Sequence, residues 1–158
     1  MSSDLSIAPP QSQQPDEFWR GIQEFNRGEF YACHDTLEAL WIEAMEPDKT
    51  FYQGILQIAV GIYHLSNLNW RGAAILMGEG LNRLNRYDGS YGGIDVDELI
   101  GDSAALLRGL QGAGEEKVGA VAKALALVSE DEIPPASATS SQEFSELSLP
   151  RITVLAES

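Results

Sequence analysis

An all-α bundle of five or six helices is the fold the sequence predicts, and three observations predict it. Apolar residues recur at three- and four-residue spacing through most of residues 16–128. Gly and Pro residues fall between those stretches, and no segment before the C-terminal end alternates as a strand does. At 158 residues the chain suggests one domain, and a hydrophobic content of 44% is ample for its core. Short connections predict that the helices pair as antiparallel hairpins.

The elements follow in order. Asp16 can cap a first helix in which Phe18, Ile22 and Phe25 recur, and Gly28 suits its stop. A second helix is expected over about residues 29–45, with Phe30, Cys33, Leu37, Leu40 and Ala44 on one stripe. Pro47 interrupts, and Asp48 or Thr50 can cap a third helix running to about Leu68. Asn67 or Asn69 opens a fourth, over about residues 70–86. The DGSYGG segment at 88–93 reads as a loop by its glycines. Asp95 and Glu98 form a variant capping box ahead of Val96, Leu99, Ile100, Leu106, Leu107 and Leu110. After a Gly break at 112–114, Val118, Val121, Ala122, Leu125 and Val128 make a short sixth helix.

The ends differ in composition. Residues 1–15, rich in Ser, Gln and Pro, are expected to be disordered. Residues 129–158 form an acidic, Ser- and Pro-containing segment expected to be a flexible tail. Its last stretch, LPRITVL, has a second reading as a docked extended strand.

Charge narrows the partners. The formal net charge is −14, from 24 acidic and 10 basic residues with no basic cluster. Such a chain is not expected to bind nucleic acid or an anionic membrane surface. The N-terminus lacks a basic start and a long apolar run, so it does not read as a secretory signal. Cys33 is the lone cysteine, which leaves no intramolecular disulfide or multi-Cys zinc site. A reducing, cytoplasmic setting fits. The uncharged run over 51–68 is long enough to span a bilayer, but Gln53, Gln57, His64, Ser66 and Asn67 are each costly in hydrocarbon. A buried central helix is the better reading.

Both histidines fall on these helices beside other polar groups. Each helical residue turns about 100°. His34 and Glu38 then lie about 40° apart on the shoulder of the second helix, while Asp35 lies about 100° away and reads as solvated. Gln53, Gln57 and His64 form one polar line on the third helix, and Gly61 beside them lets another backbone or a ligand come close. In an antiparallel pair, His34 stands at nearly the height of His64, and Glu38 at that of Gln57. If those faces meet, His34, Glu38 and His64 can bind a divalent metal such as zinc, manganese or iron. Gln53 and Gln57 then join them as a ligand pocket. The same groups can act as an acid–base pair, or they can hydrogen-bond one another and fix helix register. Tyr31 and Tyr52 can each lend a hydroxyl, and Arg83 and Arg86 can bind an anion or offset acidic neighbours.

These residues carry a family resemblance. FNRGEFYACHDTLEALW followed by FYQGILQIAVGIYHLSNLNWRGAAIL resembles the small helical proteins of domain of unknown function 309. The correspondence rests on Phe25, Asn26 and Gly28; His34, Glu38 and Trp41; Gln53, Gly54, Gln57 and His64; and Asn69, Gly72 and Ala73. It spans about residues 18–86; one departure is Asp35, where the family often has Glu. The resemblance implies an all-helical fold and a shared polar site, and it supplies no reaction.

Two functions follow as expectations. One is a polar pocket that binds a divalent metal or small ligand. The other is a tetratricopeptide-like helical-hairpin module that binds a protein partner, with the polar cluster structural; its support is a loose pattern of two helix pairs. An oligomer is also possible through the exposed sides of Trp19 or Trp70.

Overall fold

The computed structural model describes residues 14–87, 89–129, 131 and 141–155. Six α-helices account for most of them: α1 (Asp16–Asn26), α2 (Phe30–Glu43), α3 (Asp48–Ser66), α4 (Trp70–Leu84), α5 (Val96–Ala113) and α6 (Val118–Ala124). Each packs on its sequence neighbours, as short connections dictate. The all-α bundle is therefore the observed class. No helix among the described residues is long and apolar enough to cross a membrane.

Helix α3 is the axis of the bundle, and its faces divide by residue size. Phe51, Ile55, Ile58 and Ile62 are fully buried against the rest of the core. Gly54 and Gly61 turn toward α4, where an added Cβ would lie 2.8 Å from Leu84 and 2.6 Å from Met77. Gly80 of α4 answers them, since a Cβ there would lie 2.7 Å from the Gly54 carbonyl oxygen. Small residues thus bring the two backbones together. Tyr63 turns the other way and stacks on Tyr31 of α2, ring centres 5.2 Å apart. Lys49, Gln53, Val60 and His64 remain on the uncovered strip between α2 and α4, each half-buried.

Capping follows local chemistry. Asn69 accepts from the Gly72 N–H at 2.9 Å, and Asp95 accepts from the Glu98 N–H at 3.0 Å. Gly28, at φ 82°, closes α1: the Glu29 N–H bonds the Glu24 carbonyl and the Gly28 N–H bonds the Phe25 carbonyl. Asp16 caps nothing; it is the first residue of α1, behind Pro15. Neither Asp48 nor Thr50 caps α3. Instead Glu46 accepts from the Thr50 N–H at 3.0 Å and from its hydroxyl at 2.7 Å. Those bonds hold the Glu46 carboxyl below its usual range.

The glycine loop at 88–93 contains more order than a plain loop. Two short strands, β1 (Ser90–Tyr91) and β2 (Ile94–Asp95), pair across Gly92 and Gly93, both with positive φ. Two positive-φ residues are what a tight hairpin turn requires.

The LPRITVL segment lies extended against the hairpin, joined to it by a single bridge. Val154 bridges Ile94, the Asp95 N–H bonds the Thr153 carbonyl, and Ile152 is buried. The Asn26 side chain clasps this segment, donating to the Ile152 carbonyl and accepting from its N–H, both at 2.8 Å. The Thr153 hydroxyl bonds Glu98, and Leu147 covers Gly109. β-Branched Ile152, Thr153 and Val154 suit an extended edge, and burial of Ile152 fixes their register. At the other end, Gln14 is buried and receives the Tyr52 hydroxyl, so order begins ahead of residue 16. The rest of the expectation, on residues 1–13, 130, 132–140 and 156–158, lies outside the described residues.

An aromatic cluster anchors the hairpin to α3. Tyr91 donates to Asp48 at 2.6 Å and Tyr87 to the Pro47 carbonyl at 2.6 Å. Burial pushes Tyr52 up to about 12 and raises Tyr91 further, aided by its bond to Asp48. A raised folded-state value means that the folded form keeps protons the unfolded chain releases near the ordinary value of 10.0. That stabilisation is complete below pH 10 and is lost as pH rises through the folded values. The urea midpoint is therefore expected to fall above pH 10, and Tyr91→Phe should flatten the decline. An unchanged slope in that variant would remove Tyr91 from the account.

Candidate functional site

The uncovered strip of α3 is the floor of a groove. By helical register its α2 side is the stripe Tyr31, His34, Glu38 and Trp41, and its α4 side is the stripe Gly72, Leu76, Glu79 and Arg83. Helical spacing sets both stripes: three- and four-residue steps keep side chains on one face. The α4 stripe lies just outside the residues buried against α3, which are Ala73, Met77, Gly80 and Leu84.

The histidine end of the groove holds a small cavity of about 140 Å³ lined by Tyr31, His34, Val60, Tyr63 and His64. Both imidazoles line this cavity. Tyr31 lies beside His34 at 6.0 Å between ring centres, and Tyr63 beside His64 at 6.4 Å. The lining is mainly apolar.

His34 is the centre of a donor group. Its Nδ1 lies 3.2 Å from Asp35 Oδ1 and its Nε2 lies 3.9 Å from Glu38 Oε1. Ligand atoms of His34, Asp35 and Glu38 all fall within 4.8 Å of one another, with His34 half-buried and the carboxylates more exposed. In neutral His34 the Nδ1–H donates to Asp35, which leaves the Nε2 lone pair free beside Glu38. Asp35 is solvated, as its helical position predicts, and still reaches His34. Adjacent helical residues do not share a face, but Nδ1 sits near the imidazole's own backbone, within reach of a following carboxylate. The His-Asp dipeptide was the available signal.

His64 is held differently. Asn69 Oδ1 accepts from the Gly72 N–H, so the Asn69 amide nitrogen faces His64 Nδ1 at 3.3 Å and donates to it. The neutral His64 proton then sits on Nε2. His64 thus offers a donor, and it stands outside the donor group around His34. The expected metal set of His34, Glu38 and His64 is not the set that gathers.

The expected approach of Glu38 to Gln57 is also not observed. Gln57 turns to the α4 wall, donating through Nε2 to Glu79 Oε1 at 3.1 Å and accepting at Oε1 from Arg83 at 3.0 Å. It is buried between them, at 8% exposure. On the helical wheel Gln57 lies about 40° from Gly61, and Gly61 meets the α4 backbone. That proximity pointed to α4 as the neighbour, and Glu79 and Arg83, four apart, were its waiting partners. Gln53 lies half-buried on the groove floor one turn before Gln57.

Trp41 closes the far end of the α2 wall. The Lys49 ammonium lies 5.2 Å from its ring centre and donates to its carbonyl at 3.2 Å. The Trp41 indole N–H is buried and has no hydrogen-bond partner among the described residues. Tyr52, named as a possible contributor to the cluster, belongs elsewhere, since its hydroxyl bonds Gln14.

Residues 18–76 match the model of a family described as Domain of unknown function (DUF309). No curated protein and no solved structure matches the chain.

Proposed function

We propose that this chain, whose residues 18–76 belong to the domain of unknown function 309 family, binds a divalent metal ion at His34 and Glu38. A small ligand of that ion would occupy the adjoining cavity. The observation that carries the reading is the gathering of His34, Asp35 and Glu38 donor atoms within 4.8 Å of one another at the mouth of a cavity. A cation about 2 Å from each ligand atom needs His34 Nε2 and Glu38 to close only slightly from their 3.9 Å separation. Asp35 would then act through His34 Nδ1, fixing the tautomer and raising ligand basicity. Two protein ligands leave coordination positions to water or to a bound molecule, and His64, which lines the same cavity, keeps a donor at Nε2. A metal so placed can polarise a carbonyl or acidify water. Imidazole with carboxylate suits zinc, manganese or iron.

Titration of metal-free protein with Co²⁺, followed by its visible absorption, tests this. His34→Ala and Glu38→Gln should each abolish the signal. Asp35→Asn should weaken binding by about 10- to 100-fold, as loss of a ligand-orienting partner does. His64→Ala should bind Co²⁺ nearly as the parent does. Equal binding by His34→Ala and the parent, or none by the parent, would sink the proposal.

A further inference from the structure

The geometry points to a second recognition element in the same groove: we propose that Arg83 is an anchor for an anionic oxygen group, a carboxylate or a phosphate. The inference rests on reading this face as a ligand groove, but not on the metal. Arg83 is half-buried on the α4 wall and makes no ion pair among the described residues. What holds it is a neutral amide: Gln57 Oε1 accepts from Arg83 Nη1 at 3.0 Å.

Gln57 has its orientation fixed from its other end. Its Nε2 donates to Glu79 at 3.1 Å, so its oxygen must face the guanidinium. A carboxylate at position 57 would have neutralised Arg83. The amide instead positions the guanidinium and leaves its charge available, with one bond donated to Gln57 and the rest of its donor fork open. Glu79 is kept off Arg83 by the interposed amide. In a chain of net charge −14, a partly desolvated cation beside buried Gln57 is the group that would draw an anion into this groove.

Height along α3 places this anchor usefully. Gln57 stands about one helical turn from Val60 and two from His64, about 5 and 11 Å along the axis at 1.5 Å per residue. A small molecule with an anionic group on Arg83 would therefore extend toward the His64 donor and the His34 end of the groove.

The test exchanges the two groups that flank Arg83. The double variant Gln57→Glu/Glu79→Gln keeps net charge and shape but puts a carboxylate directly on Arg83. Inorganic phosphate and succinate are titrated separately, without metal, while the Arg83 side-chain Nε–H resonance is followed by NMR. The parent is expected to show a saturable shift. The double variant should keep its melting temperature and bind about tenfold more weakly or worse, the scale of losing one charge-assisted contact. Arg83→Met, followed through the Gln57 side-chain amide resonances, should lose binding altogether. A response to phosphate alone or to succinate alone identifies which oxyanion the anchor accepts, and a response to both confirms the shared chemistry. No shift with either probe, or equal binding by the double variant, overturns the proposal. Because metal is absent, a failed Co²⁺ titration leaves this result intact, and the converse also holds.

Discussion

Phe51→Ala is expected to destabilise the protein by about 3–5 kcal/mol, the range for truncating a fully buried Phe. Phe51 is 0% exposed. Its ring meets Tyr91 at 4.7 Å, Tyr87 at 5.3 Å, Phe18 at 5.9 Å and Tyr52 at 6.0 Å between centres. These contacts join α1, α3 and the β1–β2 hairpin, so one truncation loosens three elements. The lost packing is a large part of a typical stability of about 5–15 kcal/mol. For a chain of this size it should lower the melting temperature by roughly 10 °C. Amide exchange should quicken first in residues 89–95, because Tyr91 of β1 packs directly on the lost ring. A cost under about 1 kcal/mol would mean that the neighbours collapse into the space, and the cluster would not be the anchor described.

Gly80→Ala is expected to destabilise as well, although alanine is the better helix former by about 1 kcal/mol. The added methyl would lie 2.7 Å from the Gly54 carbonyl oxygen and 3.1 Å from the Ile58 amide nitrogen. Both are backbone atoms of α3, so relief requires the helices to separate. Overpacking of this kind costs about 1–3 kcal/mol and occasionally more, and Gly80→Val should cost more than Gly80→Ala. Gly101→Ala is the control. It is inside α5 with nothing within 4 Å of the added carbon, so it should stabilise by up to about 1 kcal/mol. Opposite signs for two Gly→Ala changes in helices would establish that close approach, not propensity, governs position 80. Separation of α3 from α4 would also lengthen the Gln57–Arg83 contact, linking this packing to the groove. Two stabilising results would contradict the account.

The fold was legible because helical periodicity is repeated over every long element. Asn69 and Asp95 behave as caps because their side chains reach their own first-turn N–H groups. Glu46 was missed because it sits ahead of α3 and reaches back to Thr50, which no fixed cap spacing announces. The docking of Ile152 was invisible for a related reason: its partner, Asn26, is 126 residues away. Within the site, periodicity placed His34 and Glu38 along one side of α2 and Gln53, Gln57 and His64 along one side of α3. It did not decide between the two neighbours of α3. Gln57 sits on the edge shared with α4, and the charges of Glu79 and Arg83 captured it. Asn69 likewise fixed the His64 proton, through a bond that the spacing of the histidines could not reveal.

The central claim is that the His34 donor group holds a cation. Crystals of the parent protein soaked in Co²⁺, with data collected at the cobalt absorption edge, test it most directly. One anomalous peak is expected about 2 Å from both His34 Nε2 and a Glu38 carboxylate oxygen, absent in His34→Ala. A strong peak elsewhere, with none at His34, would contradict it.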